Sequence, residues 1–138
     1  MKALEISRTG LDVEWRRLEV IAENLANVNT VRTALGDPYV MRHLVSGPKA
    51  DFGAYLGRSD VAGVQVYGTE PVNLPPRRVH DPSHPQADGD GYVTYPGFDH
   101  AAEMTLMVKT ARAYEANIVA MNAARQMYVK AMELGKRA

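Results

Sequence analysis

Between Asp99 and Leu134 the chain carries an apolar repeat longer than a protein of 138 residues needs for itself. Met104, Met107, Ala111, Tyr114, Ile118, Met121, Tyr128 and Met132 fall alternately three and four residues apart, with Arg125 the one charged residue in the series. Heptad a and d positions sustained in this way predict a helix that lies along other helices. No proline interrupts the run. Asp99 suits an N-cap with Glu103 in the first turn, and Gly135, Lys136 and Arg137 suggest a helix stop with a basic end that complements the helix dipole. A helix of about 35 residues is roughly 52 Å long, whereas a compact chain of this size measures under about 40 Å across. The helix must therefore bend or be covered by other chains, and the sustained heptad favours the second.

Residues 3–29 form a second helical stretch, with Leu4, Leu11, Trp15, Leu18, Ile21, Leu25 and Val28 making an apolar stripe and Arg8, Asp12, Arg16, Glu19 and Glu23 on the other face. Gly10 costs about 1 kcal/mol relative to alanine, which predicts frayed or late first turns. The stretch ends in an asparagine cluster, Asn24, Asn27 and Asn29, whose amides compete with the helical ladder or reach a neighbouring subunit. Arg125, a charge at an a position, calls for a carboxylate on the first helix, Glu14 or Glu23, or on another subunit.

Between these helices the character changes. All 8 prolines and nine of the 11 glycines lie between Gly36 and Gly97. Short strands are expected over 39–45, 64–67, 77–80 and 92–95, with a tight turn at Asp88-Gly89-Asp90-Gly91. The reading is a mainly α chain with a small β-rich insert: residues 1–33 and 99–138 pair as a coiled-coil core, and 34–98 form a central loop and strand segment.

Composition narrows the function. Sixteen basic and sixteen acidic side chains cancel, so no charge excess points to nucleic acid or an anionic membrane. No cysteine is present, which excludes disulfides and thiol catalysis and is compatible with export. No apolar run reaches the roughly 18 residues of a spanning helix, and the N-terminus does not read as a secretory signal peptide. His80 and His84 lack the cysteine pair of a zinc finger, and Asp88 and Asp90 open like a calcium loop that Tyr92 and Val93 do not continue. Ser7, Ser46, Ser59 and Ser83 have no His and Asp constellation around them, and Arg77-Arg78 reads as a solvated strand edge. No catalytic residue, metal or cofactor is expected.

Three stretches resemble the bacterial flagellar axial proteins, and together they cover nearly the whole chain. Ile21-Ala22-Glu23-Asn24-Leu25-Ala26-Asn27-Val28-Asn29-Thr30 is similar to the asparagine-rich box that ends the N-terminal helix of rod and hook proteins. Val79 to Val93, followed by Tyr95-Pro96, resembles a proximal-rod stretch of the form D-P-x-H-P-x-A-x-x-x-G-Y-V-x-Y-P. Glu103-Met104, Ala111 to Asn117 and Met121-Asn122 resemble the family's C-terminal helix. One departure is that Pro38-Tyr39 continues as Val40-Met41-Arg42, where the family has a Pro-Tyr-Arg-Arg-like run.

The resemblance implies a structural subunit without a catalytic site. It would be exported by the flagellar type III apparatus into the periplasmic rod of the basal body, surround the export channel there and pass on torque. The implied partners are copies of itself and the rod proteins FlgB, FlgF and FliE, with no nucleic acid and no membrane insertion. The interface residues expected are Leu11, Trp15, Leu18, Ile21, Asn24, Leu25, Asn27 and Asn29 on the first helix. On the second they are Met104, Met107, Ala111, Tyr114, Ile118, Met121, Arg125, Tyr128 and Met132. A soluble helical adaptor, a diverged paralogue outside the rod and a small enzyme built on the 80–90 loop are the alternatives. An isolated subunit is expected to be ordered mainly over 36–97, with both ends frayed.

Overall fold

A computed structural model describes residues 2–49 and 63–137 of the chain; Ser59 lies outside them. In chain order the elements are α1 (Lys2–Ala26), β1 (Arg42–Pro48), β2 (Val64–Pro71), β3 (Arg77–His80), β4 (Tyr92–Tyr95) and α2 (His100–Arg137). The protein is mainly helical, with two long terminal helices and a small β insert between them.

The helices pack side by side in opposite directions. Asn24 of α1 bonds Glu103 of α2 at 3.1 Å, the Trp15 and Tyr114 rings lie 6.2 Å apart, and a Cβ built on Gly10 would touch the Asn117 side chain at 3.0 Å. α1 continues through Gly10 rather than fraying there, because that glycine lets Asn117 close against the helix. The register has a direct consequence: α1 begins at Lys2, opposite about residue 125, so the last three turns of α2 have no α1 beside them.

Capping explains where the helices start and stop. Asp99 caps α2 as expected, its Oδ1 accepting the Ala102 N–H at 3.0 Å. α1 ends at Ala26, where Asn27 turns its amide back onto the Glu23 carbonyl at 2.9 Å and accepts the Thr30 hydroxyl at 3.0 Å. Gly135 does not stop α2, which runs on to Arg137; a Cβ built on Gly135 would meet nothing within 4 Å.

The insert is two separate antiparallel pairs. β1 pairs with β2 from Arg42 opposite Pro71 to Pro48 opposite Val64, with a bulge between Val45 and Ser46. The pair is tied to α1 by the Arg17 guanidinium donating to Ser46 Oγ at 2.8 Å and by the Val64 N–H donating to Thr9 Oγ1 at 3.1 Å. β3 pairs with β4, with Arg77 opposite Tyr95 and His80 opposite Tyr92. The intervening loop is held by Asp88, whose Oδ1 accepts the Asp90 and Tyr92 N–H groups at 3.0 and 2.8 Å. Arg78 donates to its other oxygen at 2.5 Å, and these bonds hold the Asp88 carboxyl below the usual carboxylate range. Gly91, at φ 79°, closes the turn.

The core is thin. Among the described residues only Val13, Ile21, Met41, Val93 and Pro96 are buried aliphatic or methionine side chains. The accessible surface is 9989 Å², against roughly 7,100 Å² for a compact monomer of this mass.

Candidate subunit interface

The expected interface residues divide by burial into a part already used inside the chain and a part left open. The used part centres on a polar hub where α1, β1 and α2 meet. Asn24 has no exposed surface and fills its hydrogen-bonding capacity within its own chain. Its amide donates to the Arg42 carbonyl at 2.8 Å and to Glu103 Oε2 at 3.1 Å. Its carbonyl accepts the Tyr39 hydroxyl at 2.9 Å and the Arg42 N–H at 3.1 Å. Glu103, 1% exposed, completes the hub through His43 Nε2 at 2.7 Å. Burial, and after it the Glu23 carboxylate, push the Tyr39 phenol above its ordinary 10.0, so it remains a hydrogen-bond donor. A contact of Asn24 with a neighbouring subunit is thus replaced by contacts within one. Ile21, 1% exposed, is likewise consumed in the chain's own core.

Burial along α2 turns one residue away from the apolar series. The line that faces inward is Glu103, Thr110, Asn117 and Ala124, buried or half-buried at seven-residue intervals. The expected a line, Met104, Ala111, Ile118, Arg125 and Met132, lies beside it, with Met104, Arg125 and Met132 exposed. Of the d line, Met107, Tyr114 and Met121 are half-buried and Tyr128 is exposed. Small and polar residues let the two helices approach closely, and the larger apolar side chains remain on the flank.

On α1, Leu11, Leu18, Leu25 and Asn27 are half-buried and Asn29 is exposed. Trp15 is 55% exposed and is held in place by an indole N–H bond to Glu19 at 3.1 Å. Arg125 meets neither expected carboxylate. Glu14 is bound by Arg17 at 2.6 Å, and Glu23 lies at the far end of the pair; among the described residues Arg125 has no ionic partner.

The open part is concentrated past the end of α1. From Arg125 to Gly135 every residue is exposed, including Met127 (66%), Val129 (47%), Met132 (51%) and Leu134 (69%). Residues 126–137 project roughly 18 Å. Such a run of large apolar side chains on an unsupported helix is what a packing partner would cover. The 80–90 loop offers no comparable chemistry: His84 Nδ1 accepts the Gln86 N–H at 3.1 Å, and the His80 ring packs edge-on to Tyr92 at 5.0 Å. Among the described residues, no group of three or more His, Asp or Glu could hold a metal ion. None of the described helices is long and apolar enough to cross a membrane.

Sequence comparison places relatives beside this geometry. Residues 4–32 match the family described as flagella basal body rod protein, and residues 90–134 match that described as flagellar basal body rod FlgEFG protein C-terminal. The chain is 31% identical to the flagellar basal-body rod protein FlgC of Borreliella burgdorferi, over 96% of this chain and 95% of that one. It is 32% identical to the FlgC of Escherichia coli O6:H1, over 99% and 98% of the two chains. Identity to the Bacillus subtilis FlgC is also 32%, over 97% of each.

Proposed function

Because the chain belongs to the FlgC family of flagellar basal-body rod proteins, we propose that it builds the rod through its terminal helices, with the open flank and projecting end of α2 as the contact surface. The projecting end carries this reading: exposed apolar residues run from Met127 to Leu134 where α1 has already ended. Residues 1–33 and 99–138 then form the inner tube around the export channel, and 34–98 sit outside it. Copies of the chain and the rod proteins FlgB, FlgF and FliE are the neighbours. The subunit reaches the periplasmic rod by flagellar type III export. Torque passes through many modest helix contacts repeated from subunit to subunit, which stiffen a lattice without a single strong bond. No step of this role needs a catalytic group.

Detergent-washed basal bodies, stripped of hook and filament, test the proposal. Retention of the chain is expected; its absence from them while it is expressed would transfer the reading to an adaptor or a paralogue outside the rod. Charge on the contact surface refines the test. Met132→Glu, in the projecting end, is expected to leave the isolated chain's unfolding midpoint unchanged and its export intact while excluding it from basal bodies. Leu18→Glu and Ile118→Glu are expected to block assembly as well. Normal rods in all three variants would overturn the assignment.

A further inference from the structure

At the opposite end of α2 from the projecting turns, two adjoining open cavities of about 610 and 240 Å³ share Met41, Val72 and Leu74. They form one apolar trough beside the first three turns of α2, with Leu106 on its wall. Its rim carries two exposed charges along the line of α2, the N-cap Asp99 and then Lys109, roughly 15 Å apart, with the exposed Asp37 adding a second carboxylate in the adjoining cavity. The exposed strip that begins where α1 ends carries Arg125 and then Glu133, roughly 12 Å apart along the helix.

From this match we infer that the trough receives the projecting end of α2 from a second copy of the chain, with the two helices running in the same direction. The inference rests on the rod reading and names the contact by which one copy holds the next. The order of the charges selects the direction. Aligned the same way, Arg125 comes opposite Asp99 and Glu133 opposite Lys109. Reversed, Arg125 meets Lys109 and Glu133 meets Asp99, and like charges brought together in a contact are strongly unfavourable. Lys130 falls between the ends in both cases and does not discriminate. Glu103 is held by Asn24 and His43 and does not contribute to the rim.

Direction decides the assembly. A reversed contact closes into a twofold dimer, whereas a same-direction contact leaves one trough and one projecting end free at every stage and continues as an open series.

The test uses exposed positions on the full chain. Lys109→Glu is expected to lower retention in basal bodies about tenfold by facing Glu133, and adding Glu133→Lys to the same chain is expected to restore it. A second measurement exploits the absence of cysteine from the sequence. Chains carrying Lys109→Cys and Glu133→Cys, co-expressed and oxidised in basal bodies, are expected to form the mixed dimer, and one chain carrying both substitutions is expected to form a ladder. A twofold-closed dimer without a ladder would overturn the inference, as would disulfides formed only between identical single-cysteine chains. Retention without any mixed disulfide would overturn it too, while leaving the rod reading intact. If the unsubstituted chain itself were absent from basal bodies, both readings would fall together.

Discussion

Replacing Asn24 probes the hub most sharply, because a truncation and a near-isosteric substitution are expected to differ in a defined order. Asn24→Ala removes four hydrogen bonds from a site with no exposed surface. The Tyr39 hydroxyl and the Arg42 side of β1 are near enough to the surface to regain partners. Glu103 keeps His43, and its other oxygen loses the amide. Counting one to two fully unpaired groups at about 1–3 kcal/mol each, the loss is about 3 kcal/mol. Asn24→Asp keeps the acceptors for Tyr39 and the Arg42 N–H, yet it deletes both donated bonds and sets a second carboxylate where the amide stood, 3.1 Å from Glu103 Oε2. The near-isosteric change is therefore the more damaging, by about 1–2 kcal/mol beyond alanine. In urea, with a slope of about 1.5–2 kcal/mol per molar, the alanine chain should unfold about 1.5–2 M earlier and the aspartate chain earlier still. Far-ultraviolet circular dichroism on dilute protein reads this directly. An aspartate chain as stable as wild type, or more stable than the alanine chain, would refute the placement of the Asn24 amide against the Glu103 side chain.

The remaining expectations concern other parts of the molecule. Gly10→Leu should push α1 from Asn117 and cost about 1–3 kcal/mol, whereas Gly10→Ala, gaining about 1 kcal/mol of helix propensity against a contact of 3.0 Å with a movable side chain, should be near neutral in urea unfolding. Asp88, with its carboxyl below the usual 3.8, adds stability to the β3–β4 loop that is fully present above that value and is lost as pH falls through the depressed one. A carboxyl-resolved NMR titration should find that midpoint, and Arg78→Ala should raise it. Hydrogen exchange on the isolated chain should be slow around residues 20–26 and 100–110, next to the hub, and fast from 125 to 137. Uniformly slow exchange along α2 would contradict the unsupported end.

Much of this architecture was legible because it rests on periodicity. Heptad spacing located both helices, proline and glycine density marked the insert, and the Asp88 turn and Asp99 cap follow from local side-chain chemistry. The rotation of α2 was not legible. Apolar periodicity favours Met104, Ala111 and Ile118 as the inward line, whereas closeness of the backbones selects Glu103, Thr110, Asn117 and Ala124. The hub was missed for a related reason: Glu103 in a first turn reads as a dipole partner, and nothing local says that Asn24, 79 residues away, will bury it. Gly10 carried the available signal. A glycine inside an otherwise strong helix costs stability, and here it marks the close approach of another chain segment. The same reasoning revises the expectation that both terminal segments fray in a free subunit, since the hub anchors the end of α1 and the start of α2 to β1.

The thin core has a consequence for the cell as well as for the fold. A protein that buries so little of its apolar surface alone gains stability chiefly by joining others, so its folding equilibrium depends on how many vacant sites await it. Copies that find a place are therefore expected to resist proteolysis better than copies that do not, and limited proteolysis of free and assembled chain reads the difference.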